Sequence, residues 1–188
     1  MLKISPYLRI DGNFCPAVSI ENMEDNEVVW DEKGKSNISQ IFVSHNPAYI
    51  KSIAFLYIED GEATLSPIFG SQTLDDPCFD TVTLDNADKD EYITKVSGIA
   101  ATSITNVGRG LASLTIETNK NTYGPFGEKR TSVRLNEFHF KIYLGHNDQF
   151  GGFHGTSSPS MLKSLGVYLK PNIQAQATKL NRTQLPID

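Results

Sequence analysis

The chain has 188 residues, enough for one domain with a sizeable core or at most two very small ones. Hydrophobic residues make up 39% and charged residues 21%, a globular composition rather than a disordered or collagenous one. Seventeen Lys and Arg against 22 Asp and Glu leave a net charge of −5, which argues against electrostatic nucleic-acid binding, and no run approaches the roughly 18 unbroken apolar residues of a membrane span.

The first residues, MLKISPYLRIDGNF, place charges and a proline where a signal peptide carries its apolar run, so a soluble, cytoplasmic or nucleocytoplasmic chain is expected. Pro16 to Glu27 (PAVSIENMEDNE) is acidic and irregular toward its end and reads as an inserted loop or hairpin extension. Strands are predicted at Ile38 to Ser44, Ile53 to Ile58, Val82 to Asp85, Tyr92 to Ser97, Leu114 to Glu117, Ser132 to Leu135, Phe138 to Ile142 and Leu165 to Leu169. Phe138-His139-Phe140-Lys141-Ile142 alternates apolar and polar without a fault, as a strand with one buried face does. Ile53 to Ile58 (IAFLYI) is apolar on both faces, which predicts cover on both sides, or on one side plus a contact surface. Turn signals stand at Glu59-Asp60-Gly61-Glu62, Asp75-Asp76-Pro77, Asn106-Val107-Gly108, Tyr123-Gly124-Pro125-Phe126-Gly127 and Gly145-His146-Asn147-Asp148. Short, evenly spaced strands with no long stretch of 3.6 periodicity predict an all-β sandwich, barrel or prism. The domain is expected over 1–171, with 16–27 as the irregular insertion and 172–188 as a disordered tail. No fixed sequence period is detectable.

Few residues point to reactive chemistry. Cys15 and Cys78 form no CxxC or Cys/His cluster and read as free thiols. His45, His139, His146 and His154 sit in no metal-binding spacing, His139 being expected in solvent and His154 packed or capping a turn. The acidic stretch Asp85 to Glu91 lacks the glycine and distal glutamate of a calcium loop. Gly108-Arg109-Gly110 and Tyr123 to Gly127 lack the Lys-Ser/Thr pair of a phosphate loop and read as turns needing positive φ. No GxSxG elbow or recognisable carboxylate pair is present, so no enzyme, metal or cofactor is expected. Trp30 is read as an indole packed at the core edge with its N–H bonded, in preference to ligand stacking.

Six stretches taken together resemble the jacalin-related lectins of plants. They are Tyr49-Ile50-Lys51-Ser52-Ile53-Ala54-Phe55, Asp90 to Gly98, Leu111 to Lys120, Thr122 to Gly127, Gly151-Gly152-Phe153-His154-Gly155 and Leu165 to Leu169, all in the family's order. The resemblance implies a β-prism, three antiparallel four-stranded sheets around a pseudo-threefold axis, binding sugar at one end. In this family the sugar is held by a glycine-rich N-terminal loop and by a glycine-x-x-x-aspartate loop before the last strand. Glycines admit close backbone approach, and the carboxylate accepts two sugar hydroxyls. The resemblance places the carbohydrate-binding positions at Gly12, Asn13, Arg109, Ser160, Met161, Leu162 and Lys163.

The sequence departs from the family pattern where the sugar grip should be strongest. Lys163 stands at the aspartate position and Pro159 at the glycine, in a loop one residue longer. Lysine offers donors only, and proline has no N–H. Losing a charged partner of a hydroxyl costs about 1.5–3 kcal/mol, against about 4 kcal/mol for a whole mM affinity. The resemblance therefore implies a lectin-like protein of plant defence whose binding of mannose-type glycans or oligosaccharides is weak or lost. Phe150 to Thr156 and Ile38 to His45 are closer to an intracellular member that restricts long-distance virus movement in phloem than to the storage lectins. The alternative is thus a module that binds other proteins, and exposed sheet edges leave room for a homodimer.

Overall fold

The computed structural model describes residues 1–5, 7–10, 13–16, 26–73, 78–84, 91–103, 109–127, 134–145 and 149–171. Most of 16–27, Gly12 and the tail 172–188 lie outside them. No helix occurs among the described residues. The strands are β1 (Leu2–Ile4), β2 (Tyr7–Ile10), β3 (Asn13–Pro16), β4 (Val28–Asp31), β5 (Ile38–His45), β6 (Ile50–Glu59), β7 (Glu62–Leu65), β8 (Phe69–Gly70), β9 (Cys78–Thr83), β10 (Ile93–Ser103), β11 (Arg109–Thr118), β12 (Thr122–Gly127), β13 (Arg134–Tyr143), β14 (Phe150–Ser158) and β15 (Met161–Leu169).

Three antiparallel sheets repeat one plan. Their orders are β9-β5-β6-β7, β13-β10-β11-β12 and β4-β14-β15-β1, so a central hairpin is flanked each time by two outer strands. In the first two, the strand after the hairpin pairs beside it and the next returns to the far edge, a Greek key. The last sheet is closed by the N-terminal strands β1 and β4. The expected four-stranded plan is modified once: β7 and the short β8 both pair with β6, at Leu56 to Glu59 and at Ser52 to Ile53, so one outer strand is broken at Ser66-Pro67-Ile68. A separate hairpin, β2–β3, pairs Tyr7 with Pro16.

The threefold plan extends to single residues. Each central hairpin carries a one-residue bulge at the same place: Lys51 between the pairs Ser44–Ser52 and His45–Ile50, Ala112 between Ile99–Ser113 and Ala100–Leu111, and Lys163 between Thr156–Ser164 and Ser157–Leu162. The local sequences are Ile50-Lys51-Ser52-Ile53, Leu111-Ala112-Ser113-Leu114 and Leu162-Lys163-Ser164-Leu165. A repeat too short to show as a sequence period is present all the same.

The inner faces of the three sheets share one core that includes Ile41, Phe55, Val96, Leu114, Phe153 and Leu165. Phe55 stacks on Phe153 at 4.9 Å across two sheets. Two readings are corrected. Tyr123 to Gly127 is not a turn but edge strand β12, where a proline is tolerated because Gly124 and Pro125 fall at a register irregularity and pair with no residue of β11; Gly124 and Gly127 do have positive φ, as expected. Trp30 is buried and stacks on Phe69 at 4.2 Å, but its indole N–H meets no acceptor among the described residues.

Candidate functional site at the hairpin end of the prism

The strand ends of the three central hairpins converge on one end of the prism. Tyr49, from the β5–β6 turn, packs there with Ala101, Ala112 and Met161 of the other two hairpins. Gly110 has to lack a side chain: a Cβ would lie 2.5 Å from Met161 Sδ and 2.9 Å from Tyr49 Cδ1. The β5–β6 turn is held by Asn46, whose Oδ1 accepts from the Ala48 and Tyr49 amides at 2.8 and 2.9 Å. Between β14 and β15 the turn is only Pro159-Ser160. Val28 lies opposite Ser157, and β1 runs toward the same turn, so the segment joining β1 to β4 leaves and returns at this end.

The turn between the last two strands is short: Thr156 to Ser158 belong to β14 and Met161 and Leu162 to β15, and the bulge at Lys163 is the counterpart of those at Lys51 and Ala112 in the other two hairpins. Ser164 Oγ fastens the bulge to β14, accepting from the Thr156 amide at 3.0 Å and lying 2.9 Å from its hydroxyl. The bulge turns Lys163 inward. Its side chain is 4% exposed, and its Nζ lies 3.6 Å from Glu27 Oε1, on a side chain 5% exposed. At the position that the resemblance assigns to an accepting aspartate, the chain therefore holds a buried ion pair.

Of the other expected positions, Ser160 is exposed and its hydroxyl lies 3.0 Å from that of Ser158. The side chains of Met161 and Leu162 are buried in the core. Asn13 and Arg109 are described only as backbone, in β3 and at the start of β11, and Gly12 lies outside the described residues. Ser158, Ser160 and the Met161 carbonyl thus come together at one corner, at the turn. Glu27, the partner of Lys163, was not singled out by sequence reasoning. The signal available was indirect: a lysine placed in a strand end that packs inward requires a counter-charge, and the acidic segment before β4 is the nearest source in the chain.

A second polar cluster lies on the same sheet. The Tyr168 hydroxyl donates to Asp31 Oδ2, Lys3 Nζ stands 3.7 Å from the same oxygen, and His154 donates from Nε2 to the Ile4 carbonyl at 3.0 Å. Burial raises the Asp31 carboxyl, but the Tyr168 hydroxyl, the Lys33 amide and Lys3 together hold it below its usual range. Burial, then the bond to Asp31, pushes Tyr168 up to about 12. Burial, reinforced by Lys3, lowers the His154 pKa despite the bond to Ile4. His139 is exposed as expected, and Cys78 is a free, half-buried thiol. No group of three or more potential metal ligands gathers among the described residues, and no helix there is long and apolar enough to cross a membrane.

The architecture matches known lectins. Residues 24–168 match the family described as Jacalin-like lectin domain. Jacalin-related lectin 2 of Arabidopsis thaliana is 40% identical over 149 residues, covering 78% of this chain and 79% of its own. Protein RESTRICTED TEV MOVEMENT 1 of the same plant is 42% identical over 145 residues, covering 77% and 78%. Among solved structures, a mannose-binding lectin from Champedak superposes with a TM-score of 0.62 at 26% identity, covering 76% of this chain and 89% of that one. Artocarpin complexed with mannotriose gives the same TM-score at 25% identity and the same coverage. On this combination of repeated sheets, converging hairpins and sequence, the chain belongs to the jacalin-like lectin family and folds as its β-prism.

Proposed function

We propose that this protein is a carbohydrate-binding, lectin-like protein of plant defence, acting in the cytoplasm, whose grip on a single mannose-type ring is weakened. The carrying observation is the buried Lys163–Glu27 pair at the corner where the resemblance expects an acceptor carboxylate. A hexose there meets the Ser158 and Ser160 hydroxyls and backbone, with the charge-assisted acceptor missing. The loss is worth about 1.5–3 kcal/mol, roughly 10- to 150-fold in affinity. Binding then depends on oligosaccharides that span more of the prism end, including Arg109 and the segment around Gly12 and Asn13. The family membership and the mannose-binding solved structures support this reading. A glycan array on the purified protein tests it: signal is expected on branched mannose-type oligosaccharides and not on single mannose residues. Signal on galactosides alone would overturn it.

A second reading, a module that recognises another protein in antiviral defence, is favoured by one further observation. The outer face of the sheet that holds β5, β6, β7 and β9 carries apolar groups, with Phe42 stacked on Phe79 at 6.1 Å and Phe79 and Leu65 largely exposed. The similarity to Protein RESTRICTED TEV MOVEMENT 1 points the same way. Capture of one defined protein partner that added mannose does not release, and that Phe79→Ser does, would favour this reading over the first.

A further inference from the structure

The outer faces of the three sheets share a plan and differ in charge. The second sheet turns Lys95, Glu117 and Lys141 outward, and the third turns Lys3 and Asp31. On the first, Ile41 and Val43 point into the core, so Gln40, Phe42 and Ser44 of β5 point away from it. Neither these three nor the residues opposite them on β6 and β9 carry a charge. The face is partly polar, but its largest groups are apolar and reach solvent: Phe79 is 68% exposed, Leu65 59% and Ile68 49%.

These groups stand on both edges of the sheet. Phe79 belongs to edge strand β9, while Leu65 and Ile68 flank the break in the other outer strand. The break is built rather than loose. The Ser66 amide donates to the Phe55 carbonyl at 2.8 Å, and its hydroxyl oxygen accepts from the Phe55 amide at 2.9 Å. One edge therefore projects an aromatic ring, and the other offers a fixed gap rimmed by two aliphatic groups.

The charge pattern selects the occupant. A net charge of −5 sets two copies of the chain against each other in most orientations. On this face no like charges meet, and a partner chosen for its charge finds no counter-charge. Four strands about 4.8 Å apart, each contributing roughly six residues at about 3.3 Å, present about 400 Å², the scale of a transient interface rather than an obligate one. A two-fold axis along the strands, between two such faces, carries the β9 edge of one copy over the broken edge of the other. We propose that the outer face of the first sheet takes a second copy of this chain, in an isologous pairing that sets Phe79 of each protomer against Ile68 of the other. Both hairpin ends then point the same way, and two weak sugar corners raise each other's effective concentration. That consequence, unlike the interface itself, rests on the sugar-binding reading.

Sedimentation equilibrium of the full chain between about 1 and 200 µM, without sugar, is the test. The mass is expected to rise from that of the monomer to twice that value. Phe79→Lys and Ile68→Glu, both at exposed positions, should each weaken association about tenfold while leaving the thermal midpoint unchanged. An equimolar mixture of the two single variants should associate again, since one contact then joins opposite charges and the other keeps Phe79 against Ile68. A monomer at every concentration would overturn the proposal, as would a dimer that both single variants leave intact or a mixture that stays monomeric. A monomer that captures a foreign protein through Phe79 would also overturn it, and would leave the protein-recognition reading of this face standing.

Discussion

An ammonium kept at 4% exposure is tolerable only beside a counter-charge, and in this protein Glu27 provides it. Removing one member should therefore hurt far more than removing both. Glu27→Gln is expected to lower stability by about 3–5 kcal/mol, whereas Glu27→Leu with Lys163→Met should return close to the parent, because apolar groups of similar size replace a desolvated pair with little loss. Equilibrium urea unfolding measures both, and equal losses in the two variants would contradict the account. His154 gives a pH signature. Its pKa is lowered in the folded state, so below its ordinary value of about 6.5 the unfolded chain takes up a proton that the folded chain refuses. Stability is then full above about pH 6.5 and falls as the solution is acidified through the window below it. His154→Asn should flatten that acid-side slope; identical slopes would show that the imidazole contributes nothing. Lys163 was legible in the sequence because its residue type is wrong for the family position. Glu27 was not, since an ion pair between residues 136 positions apart (163 − 27) is fixed by packing and leaves no local pattern.

Strands were legible where one face alternates cleanly, and their lengths were not. Phe138 to Ile142 is the alternating second half of β13, with Phe140 and Ile142 buried, and the ten residues of that strand also absorb Arg134 and Leu135 of the neighbouring predicted strand. Leu165 to Leu169 is the end of β15, which starts four residues earlier because Met161 to Ser164 are covered on both faces and show no alternation. Tyr123 to Gly127 misled because glycine and proline signal turns; at a sheet edge they are also compatible with a strand. The double apolar character of Ile53 to Ile58 was informative, since β6 lies under an outward band that includes Leu56 and Leu65 as well as over the core. Close backbone approach between hairpin strands explains other glycines. A Cβ on Gly155 would collide with the Ser164 carbonyl oxygen and stand 2.7 Å from Trp30 Cζ2. Gly155→Ala is therefore expected to lose about 1–3 kcal/mol in thermal or urea unfolding, and a neutral result would mean that β14 and β15 are not packed as described.

The three sheets fold around one shared core, so they should unfold together. Trp30 sits in the last sheet and stacks on Phe69 of the first, which makes its fluorescence a reporter of contact between sheets. Its urea transition is expected to coincide with that of far-ultraviolet circular dichroism, as in a two-state domain; separated transitions would show sheets melting one at a time. The all-β class followed from the sequence, but periodicity alone left sandwich, barrel and prism open. The choice among them depends on contacts such as Phe55 with Phe153 that join distant segments. The claim most in need of a direct test is that the ion pair at the hairpin end has taken the place of the sugar-accepting carboxylate. Calorimetric titration with methyl α-mannoside should be run on the native protein and on the charge-reversed variant Glu27→Lys with Lys163→Asp, which keeps the pair but puts a carboxylate at position 163. The account predicts native binding weaker than mM and at least a roughly tenfold gain on reversal; native binding at mM or tighter, abolished by the reversal, would contradict it.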